Sequence, residues 1–353
     1  MSVSERLAHP SDTGGIFLVH VHLPRVIARL VEYVGEPILW WHTGQMAGNL
    51  LILDTATLYY RAFYALPEKM TAPDGHPHNA VRGFLSMLTK LITIHQPAGL
   101  VAAWDQDWRP EWRVNLVSSY KTHRVEEALD AELDGVELVP DTLGPQIGAI
   151  AQILDACGIA RIGFDNFEAD DVIASVAAQN QGPNLVVTSD KDMMQVVSPS
   201  TSILLQMNGG IEGWPVVTNA DVLSRFGVTP SQYLDFAVLR GDPSDGLPGV
   251  SGIGDKTGAT LIGQFGDLEA LIAAAAAPNA AKPLTPRLCA KLLESQDYLA
   301  RARQVITAEV GLPVNAWDFN IPNSPVDELA LATLGQNWGV ERFISDLYQA
   351  ISE

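Results

Sequence analysis

Leu185-Val-Val-Thr-Ser-Asp-Lys-Asp192, read with Phe164-Asp-Asn-Phe-Glu-Ala-Asp-Asp-Val172 before it, is the stretch from which the architecture can be worked out. Leu185 to Thr188 is a short apolar, β-branched run, the pattern of a buried strand. Asp190 and Asp192 stand at its carboxyl end. Two other segments repeat the arrangement, Asn49-Leu-Leu-Ile-Leu-Asp54 and Gly99-Leu-Val-Ala-Ala-Trp-Asp105. A parallel α/β sheet takes its ligands outside the carboxyl ends of its strands. Three strands that finish in aspartate therefore aim their carboxylates at one crevice. Glu168 and Asp171 are spaced i, i+3 at the start of an apolar-periodic segment (Val172, Ile173, Val176), which places them on one face of a helix.

Glu168, Asp170, Asp171, Asp190 and Asp192 fall within 25 residues, and a Gly-rich element further on adds Asp242 and Asp245. This pattern reads as a binuclear site for Mg²⁺ or Mn²⁺, because hard divalent cations take oxygen ligands. Like charges brought this close would otherwise raise one another's pKa. One such aspartate alone reads more readily as a helix cap or a solvated loop end. The same placement in four separate segments favours the metal.

The chain has 353 residues, 47% hydrophobic and 18% charged, which suits two globular domains with a sizeable core. Its net charge of −19 argues, taken alone, against nucleic acid. Part of that excess is the acid cluster itself, whose charge bound cations would offset. Cys157 and Cys289 are far apart and in no CxxC spacing, which fits a reducing cytosol and argues against zinc. Ile16 to Trp41 is apolar but interrupted by His20, His22, Pro24, Arg25 and Arg29, and gives neither a membrane span nor a signal peptide. A soluble, cytoplasmic protein is expected.

Residues 1–48 carry no motif and read as an extension. Thr57 to Tyr64 follows the first strand as helix or loop, and Asn79 to Ile94 is an amphipathic helix with Val81, Phe84, Leu85, Leu88, Leu91 and Ile92 on its apolar side. In residues 106–140, Trp108, Trp112 and Tyr120 interleave with Arg109, Arg113, Lys121 and Arg124, and an acidic run from Glu126 to Glu137 follows. Aromatics among cations suit single-stranded nucleic acid; an exposed helix with a few packed aromatics reads equally well. Leu143 to Cys157 is a helix stopped by Gly158, Ala160–Gly163 a short strand, 168–180 and 190–197 helices, and Ser202–Gln206 a further strand. From about residue 218 short helices are joined by Gly and Pro. Pro248-Gly-Val-Ser-Gly-Ile-Gly254 reads as a hairpin between helices, with Gly249, Gly252 and Gly254 forming a phosphate nest beside Lys256. Helices near 287–304 and 326–352 close the chain.

Leu53-Asp-Thr-Ala-Thr-Leu-Tyr-Tyr-Arg-Ala-Phe-Tyr-Ala-Leu-Pro67, Tyr120-Lys-Thr-His-Arg124, Glu168-Ala-Asp-Asp171, Thr188-Ser-Asp-Lys-Asp-Met193 and Gly241-Asp-Pro-Ser-Asp-Gly-Leu-Pro-Gly-Val-Ser-Gly-Ile-Gly-Asp-Lys-Thr257 together resemble the bacterial 5′-nuclease family, in its stand-alone form. That family comprises flap endonucleases and the 5′→3′ exonuclease domain of DNA polymerase I. The resemblance implies a PIN-like α/β domain over 49–217, its mostly parallel sheet flanked by helices and bearing a helical arch at about 106–140. It implies a helix–three-turn–helix DNA-binding region over 218–300 and a helical segment over 301–353. Asp54, Asp105, Glu168, Asp170, Asp171, Asp190, Asp192, Asp242 and Asp245 match the family's acidic metal positions. Lys121 and Arg124 match its catalytic basic residues, and the hairpin its duplex-gripping element, where relatives bind potassium. The implied partner is DNA with a 5′ flap or a 5′ end at a single-strand/duplex junction, RNA-primed DNA included, bound by a monomer. Three departures stand out: Thr55 replaces the usual Gly, Gly246 replaces the usual Asn of Ser-Asp-Asn, and the arch beyond Arg124 is acidic.

The mechanism expected is hydrolysis of a phosphodiester with two ions roughly 3.5–4 Å apart. Lys121 and Arg124 would neutralise the transition-state phosphate, and Tyr120 would stack on an unpaired base. Two other readings compete. One is a haloacid-dehalogenase-type phosphatase, which needs a second acid two residues after its aspartyl nucleophile; position 56 is Ala. The other is a DNA-structure binder without catalysis, against which the full acid set argues.

Overall fold

The computed structural model describes residues 49–124 and 139–352. The expected extension (1–48) and the acidic stretch of the expected arch lie outside the described residues.

The first half is built around one sheet. In chain order it comprises β1 (Leu50–Asp54), α1 (Thr55–Ala65), α2 (Asn79–His95), β2 (Gly99–Ala103), α3 (Glu111–Leu116), α4 (Gly144–Cys157), β3 (Ala160–Ile162), α5 (Ala169–Gln179), β4 (Asn184–Thr188), β5 (Thr201–Leu205) and β6 (Val216–Val217). The strand order is β3-β2-β1-β4-β5-β6; the first five are parallel and β6 runs antiparallel to β5. Strands with covered faces must be apolar on both sides, and Leu-Leu-Ile-Leu meets that requirement. Ile52, Val101 and Val186 enter one core, and Leu51, Leu53, Leu100, Leu185 and Val187 enter the other. The chain reverses its direction of winding between β1 and β4, so the crevice of a doubly wound sheet opens between their carboxyl ends.

The second core is covered by α1, α2 and α4. The expected apolar stripe of α2 is buried in full. The helix ends at Gln96, whose φ of 41° is left-handed. On the other face lie α5 and much of the second half: α6 (Asn219–Phe226), α7 (Pro230–Arg240), α8 (Asp255–Phe265), α9 (Leu268–Ala276), α10 (Pro286–Glu294) and α11 (Gln296–Ile306). Thr218 with Asp221 and Thr229 with Gln232 form reciprocal capping boxes that start α6 and α7. Buried Asp235 of α7 accepts Leu268 N at 2.9 Å and Arg303 Nε at 2.6 Å, tying α7 to α9 and α11. The expected range 287–304 thus holds two helices, and α11 runs across residue 300, so the helical region does not end there. The range 326–352 also holds two, α12 (Glu328–Trp338) and α13 (Glu341–Ser352), separated by Gly339 at a φ of 61°. They return to the first half, where Leu331, Val340 and Leu347 join the core of α2 and α4. Among the described residues no single helix is long and apolar enough to cross a membrane.

Candidate active site

A cleft of about 1690 Å³ opens at the carboxyl ends of β1, β2 and β4. Asp54, Asp105, Glu168, Asp170, Asp190, Asp242 and Asp245 line it, together with Lys121, Arg124 and Arg240. Asp192 lines an adjoining recess with Asp170, Asp190 and Asp245.

Backbone geometry places each acid. Asp54 ends β1 and caps α1, accepting Thr57 N at 3.3 Å, and its other oxygen accepts Thr188 Oγ1 at 2.6 Å. The Thr188 hydroxyl in turn accepts Asp190 N at 2.9 Å, so one side chain links the first and fourth strand ends. Asp105, just past β2, accepts Ala169 N at 2.8 Å from the first turn of α5. Asp190 accepts Asp192 N at 2.8 Å, closing a tight loop. A 3₁₀ turn over Asp192–Val196 follows, not the expected helix from 190, because that hydrogen bond and the one from Met194 N to Lys191 O set the shorter pitch. Asp242 accepts Ser244 N at 2.8 Å.

Glu168 is the most heavily partnered. It is the N-cap of α5 and is 2% exposed. It accepts Lys121 Nζ at 2.5 Å and the Tyr120 hydroxyl at 2.9 Å, and pairs with Arg113 Nη1 at 3.1 Å. Tyr120 is therefore buried under the site and is not offered to an unpaired base, as the sequence had suggested. Asp171 departs from expectation too. One oxygen accepts Arg113 Nη2 and Glu309 N, each at 2.8 Å, and the other accepts Glu168 N at 3.0 Å. Its carboxylate is turned into the interior as the return arm of a capping box and lines neither cavity.

Burial and mutual repulsion dominate the electrostatics. Burial first, then the Asp105 and Asp190 charges, push the Asp54 carboxyl up to about 7 despite the Thr188 hydroxyl. Burial and the neighbouring Asp190, Asp242 and Asp245 raise Asp192 to about 8. Asp170, Asp190, Asp105 and Asp245 are raised as well, burial being the largest cause in each. Burial pulls Lys121 toward its neutral form, but the charges of Glu168, Asp245 and Asp105 outweigh it and hold the ammonium above the usual lysine value. Asp192 Oδ1 is buried with no hydrogen-bond partner among the described residues, and Arg240 Nη2 is 3.9 Å away. Carboxylate oxygens crowded so closely that burial and mutual repulsion raise their proton affinities are what a hard divalent cation satisfies. Among the described residues no three His, Cys, Asp or Glu side chains converge as a ready-made chelate.

The hairpin lies between α7 and α8. Gly241 and Gly249 press two backbone segments together: a Cβ on Gly241 would lie 2.5 Å from Gly249 N, and one on Gly249 2.5 Å from the Arg240 carbonyl. Gly249 N donates to the Tyr298 hydroxyl at 3.1 Å, so it is spent inside the fold and is not part of a phosphate nest. Gly252, Gly254 and Lys256 are exposed at the start of α8. Sequence reasoning missed Thr188, Arg113 and Arg240 as parts of the site. Arg113 carried a signal, since it falls among the aromatics and cations of the arch, but its partners lie on distant elements.

An acidic cleft at the switch point of a mostly parallel sheet, with a helical half carrying a hairpin, is the plan of a phosphodiester-cleaving α/β enzyme. Residues 49–227 match the family described as 5′-3′ exonuclease, N-terminal resolvase-like domain, and residues 228–327 match 5′-3′ exonuclease, C-terminal SAM fold. The chain belongs to the 5′-3′ exonuclease family. It is 45% identical over 291 residues to a 5′-3′ exonuclease of Streptomyces coelicolor, covering 82% of this chain and 96% of that one. It is 39% identical over 315 residues to a 5′-3′ exonuclease of Mycobacterium tuberculosis, covering 87% and 98%. Among solved structures, the T5 D15 protein crystallised with metal ions shares the fold, with a TM-score of 0.59 at 18% identity over 86% of this chain and 99% of that one.

Proposed function

We propose that the chain is a structure-dependent 5′-nuclease that hydrolyses DNA phosphodiesters at a 5′ flap or 5′ end, including RNA-primed ends, in replication and repair. The observation that carries this reading is the convergence of acids from five chain segments on one cleft, where burial and the neighbouring carboxylates raise the proton affinities of Asp54, Asp170, Asp190 and Asp192. Asp54, Asp105, Glu168, Asp170, Asp190, Asp192, Asp242 and Asp245 would hold two or more Mg²⁺ or Mn²⁺ ions, with potassium at the hairpin. Asp171 positions Glu168. Bound divalent ions supply Lewis-acid activation of water and offset charge on the phosphate. Lys121 and Arg124 bring positive charge to the same cleft, and Tyr120 fixes the Glu168 carboxylate through its hydroxyl. Gly252, Gly254 and Lys256 present N–H groups and a cation to a duplex phosphate. The enzyme acts as a monomer in the cytoplasm, where the buried free thiols of Cys157 and Cys289 stay reduced.

A 5′-labelled flap substrate tests this with Mg²⁺, Mn²⁺ or EDTA. Cutting near the single-strand/duplex junction with either metal, and none in EDTA, is expected. Binding without cutting in either metal would establish a DNA-structure binder. Release of phosphate from a small phosphomonoester, with DNA left intact, would establish a phosphatase.

Lys121→Ala should lower the single-turnover cleavage rate by about 10²-fold, the scale of losing one preorganised charge at a reacting phosphate. Duplex affinity measured by anisotropy should change little. Equal losses in rate and affinity would assign Lys121 to binding.

A further inference from the structure

Gly246 stands where Asn is expected from the family resemblance, and the structure shows what its missing side chain allows. The 3₁₀ turn Pro243–Asp245 ends at Gly246, whose φ is 71°. An added Cβ there would sit 1.9 Å from Ser119 O and 3.5 Å from Lys121 N. The contact continues on both sides. Ser119 Oγ donates to Gly246 O at 2.7 Å, Lys121 N donates to Asp245 O at 3.0 Å, and Arg124 Nη2 pairs with Asp245 Oδ1 at 3.2 Å. Lys121 itself has a φ of 49°, a conformation that a non-glycine residue keeps only when its surroundings impose it. Its side chain reaches Glu168 from there, and it also donates to Trp108 O at 3.1 Å.

We propose that Gly246 is a positioning residue: it lets the backbone of residues 119–121 seat directly on the Asp242–Gly246 turn, so that Lys121 and Arg124 are latched into the acid cleft before any substrate arrives. The inference deepens the nuclease reading and rests on it only for the kinetic consequence. With a side chain at 246, the two backbones cannot keep this spacing. The bond from Lys121 N to Asp245 O must open, and the left-handed turn at Lys121 loses what imposes it. The site would then have to recruit its cations after binding DNA, a conformational cost that lowers the rate of the chemical step.

The test is hydrogen exchange of the free protein over residues 117–124, for the wild type, Gly246→Asn and Ser119→Ala. Asn tolerates a positive φ better than other residues, so Gly246→Asn isolates the clash. The Lys121 amide should be protected in the wild type and exchange at least about tenfold faster in Gly246→Asn, as expected for a locally opened contact. Ser119→Ala removes one bond of the latch without a clash, should give a smaller acceleration in the same peptide, and serves if Gly246→Asn does not fold. In flap cleavage, Gly246→Asn should slow the single-turnover rate with KM held near the wild-type value. Unchanged exchange in a folded Gly246→Asn protein, or in Ser119→Ala should that protein not fold, would overturn the latch. Accelerated exchange in a protein that cuts no DNA would leave the latch standing and remove the nuclease reading.

Discussion

Asp190→Asn is expected to abolish cleavage, by a factor on the order of 10³ or more, and at the same time to raise the thermal stability of the metal-free protein. Both outcomes follow from the same crowding. Asp190 raises the proton affinity of Asp54, Asp170, Asp192 and Asp245, and its own is raised, burial being the largest cause. A carboxyl whose folded-state pKa lies above its unfolded value binds more protons when folded, so stability falls as pH rises through that interval. Here the interval runs from the ordinary 3.8 up to about 7 for Asp54 and about 8 for Asp192. In EDTA the wild type should melt at a lower temperature at pH 8 than at pH 5.5, and divalent cation should recover more stability at pH 8. The neutral isostere removes one charge from the cluster. At about 1.4 kcal/mol for each pKa unit relieved, the chelated variant should gain about 1–2 kcal/mol at pH 8 and show a flatter dependence on pH. Melting curves at the two pH values decide it. A variant that loses activity and melts lower at pH 8 would show that Asp190 is held by favourable partners and not by constraint.

Arg113→Met should cost about 3–5 kcal/mol of folding stability, the range for removing one partner of a buried ion pair. The guanidinium is 3% exposed, pairs with Glu168 and Asp171, donates Nε to Val305 O at 2.9 Å and stacks on Trp112 at 4.7 Å. Burial alone would weaken its charge, but Glu168 and Asp171 hold it above the usual arginine value. Without it, Asp171 is a fully buried carboxylate whose remaining donors are backbone N–H groups, and Glu168 keeps Lys121 as its remaining cation. Arg113→Lys should fall between, because one ammonium cannot fork to both acids. Urea unfolding in EDTA measures the difference; a loss below about 1 kcal/mol for Arg113→Met, the scale of an ordinary surface change, would show that the acids find other partners. Flap cleavage should fall with stability in both variants, since Glu168 loses its fixed orientation.

What the sequence reveals of this protein is what short-range pattern encodes. Apolar runs ending in aspartate place β1, β2 and β4, and their acids meet where a parallel sheet requires. The capping residues Thr218, Thr229 and Gly158 are legible for the same reason. The partners that tune the acids are not. Arg113 meets Asp171 across 58 residues of chain, Thr188 meets Asp54 across 134 and Glu309 meets Asp171 across 138. No local spacing encodes such pairs. Tyr120 shows the resulting error. An aromatic among cations reads as a stacking surface, whereas burial against Glu168 makes it a hydroxyl donor. The Gly249 N–H reads as a phosphate ligand until Tyr298, 49 residues on, is seen to take it. Asp190 and Asp192 suggest a helix start, but their own hydrogen bond makes a tighter turn.

Glu309 N on Asp171 and Val305 O on Arg113 have a consequence for how the enzyme is made. A ribosome releases the chain from its amino end, so β1, α5 and β4 emerge well before residues 305–309. Until those residues arrive, Arg113 and Asp171, which both hold Glu168, lack two of the groups that fix them. A nascent or truncated chain can carry every acid of the site and still lack its alignment. The alignment of the site is therefore expected to be completed late in synthesis, once residues 305–309 reach Arg113 and Asp171.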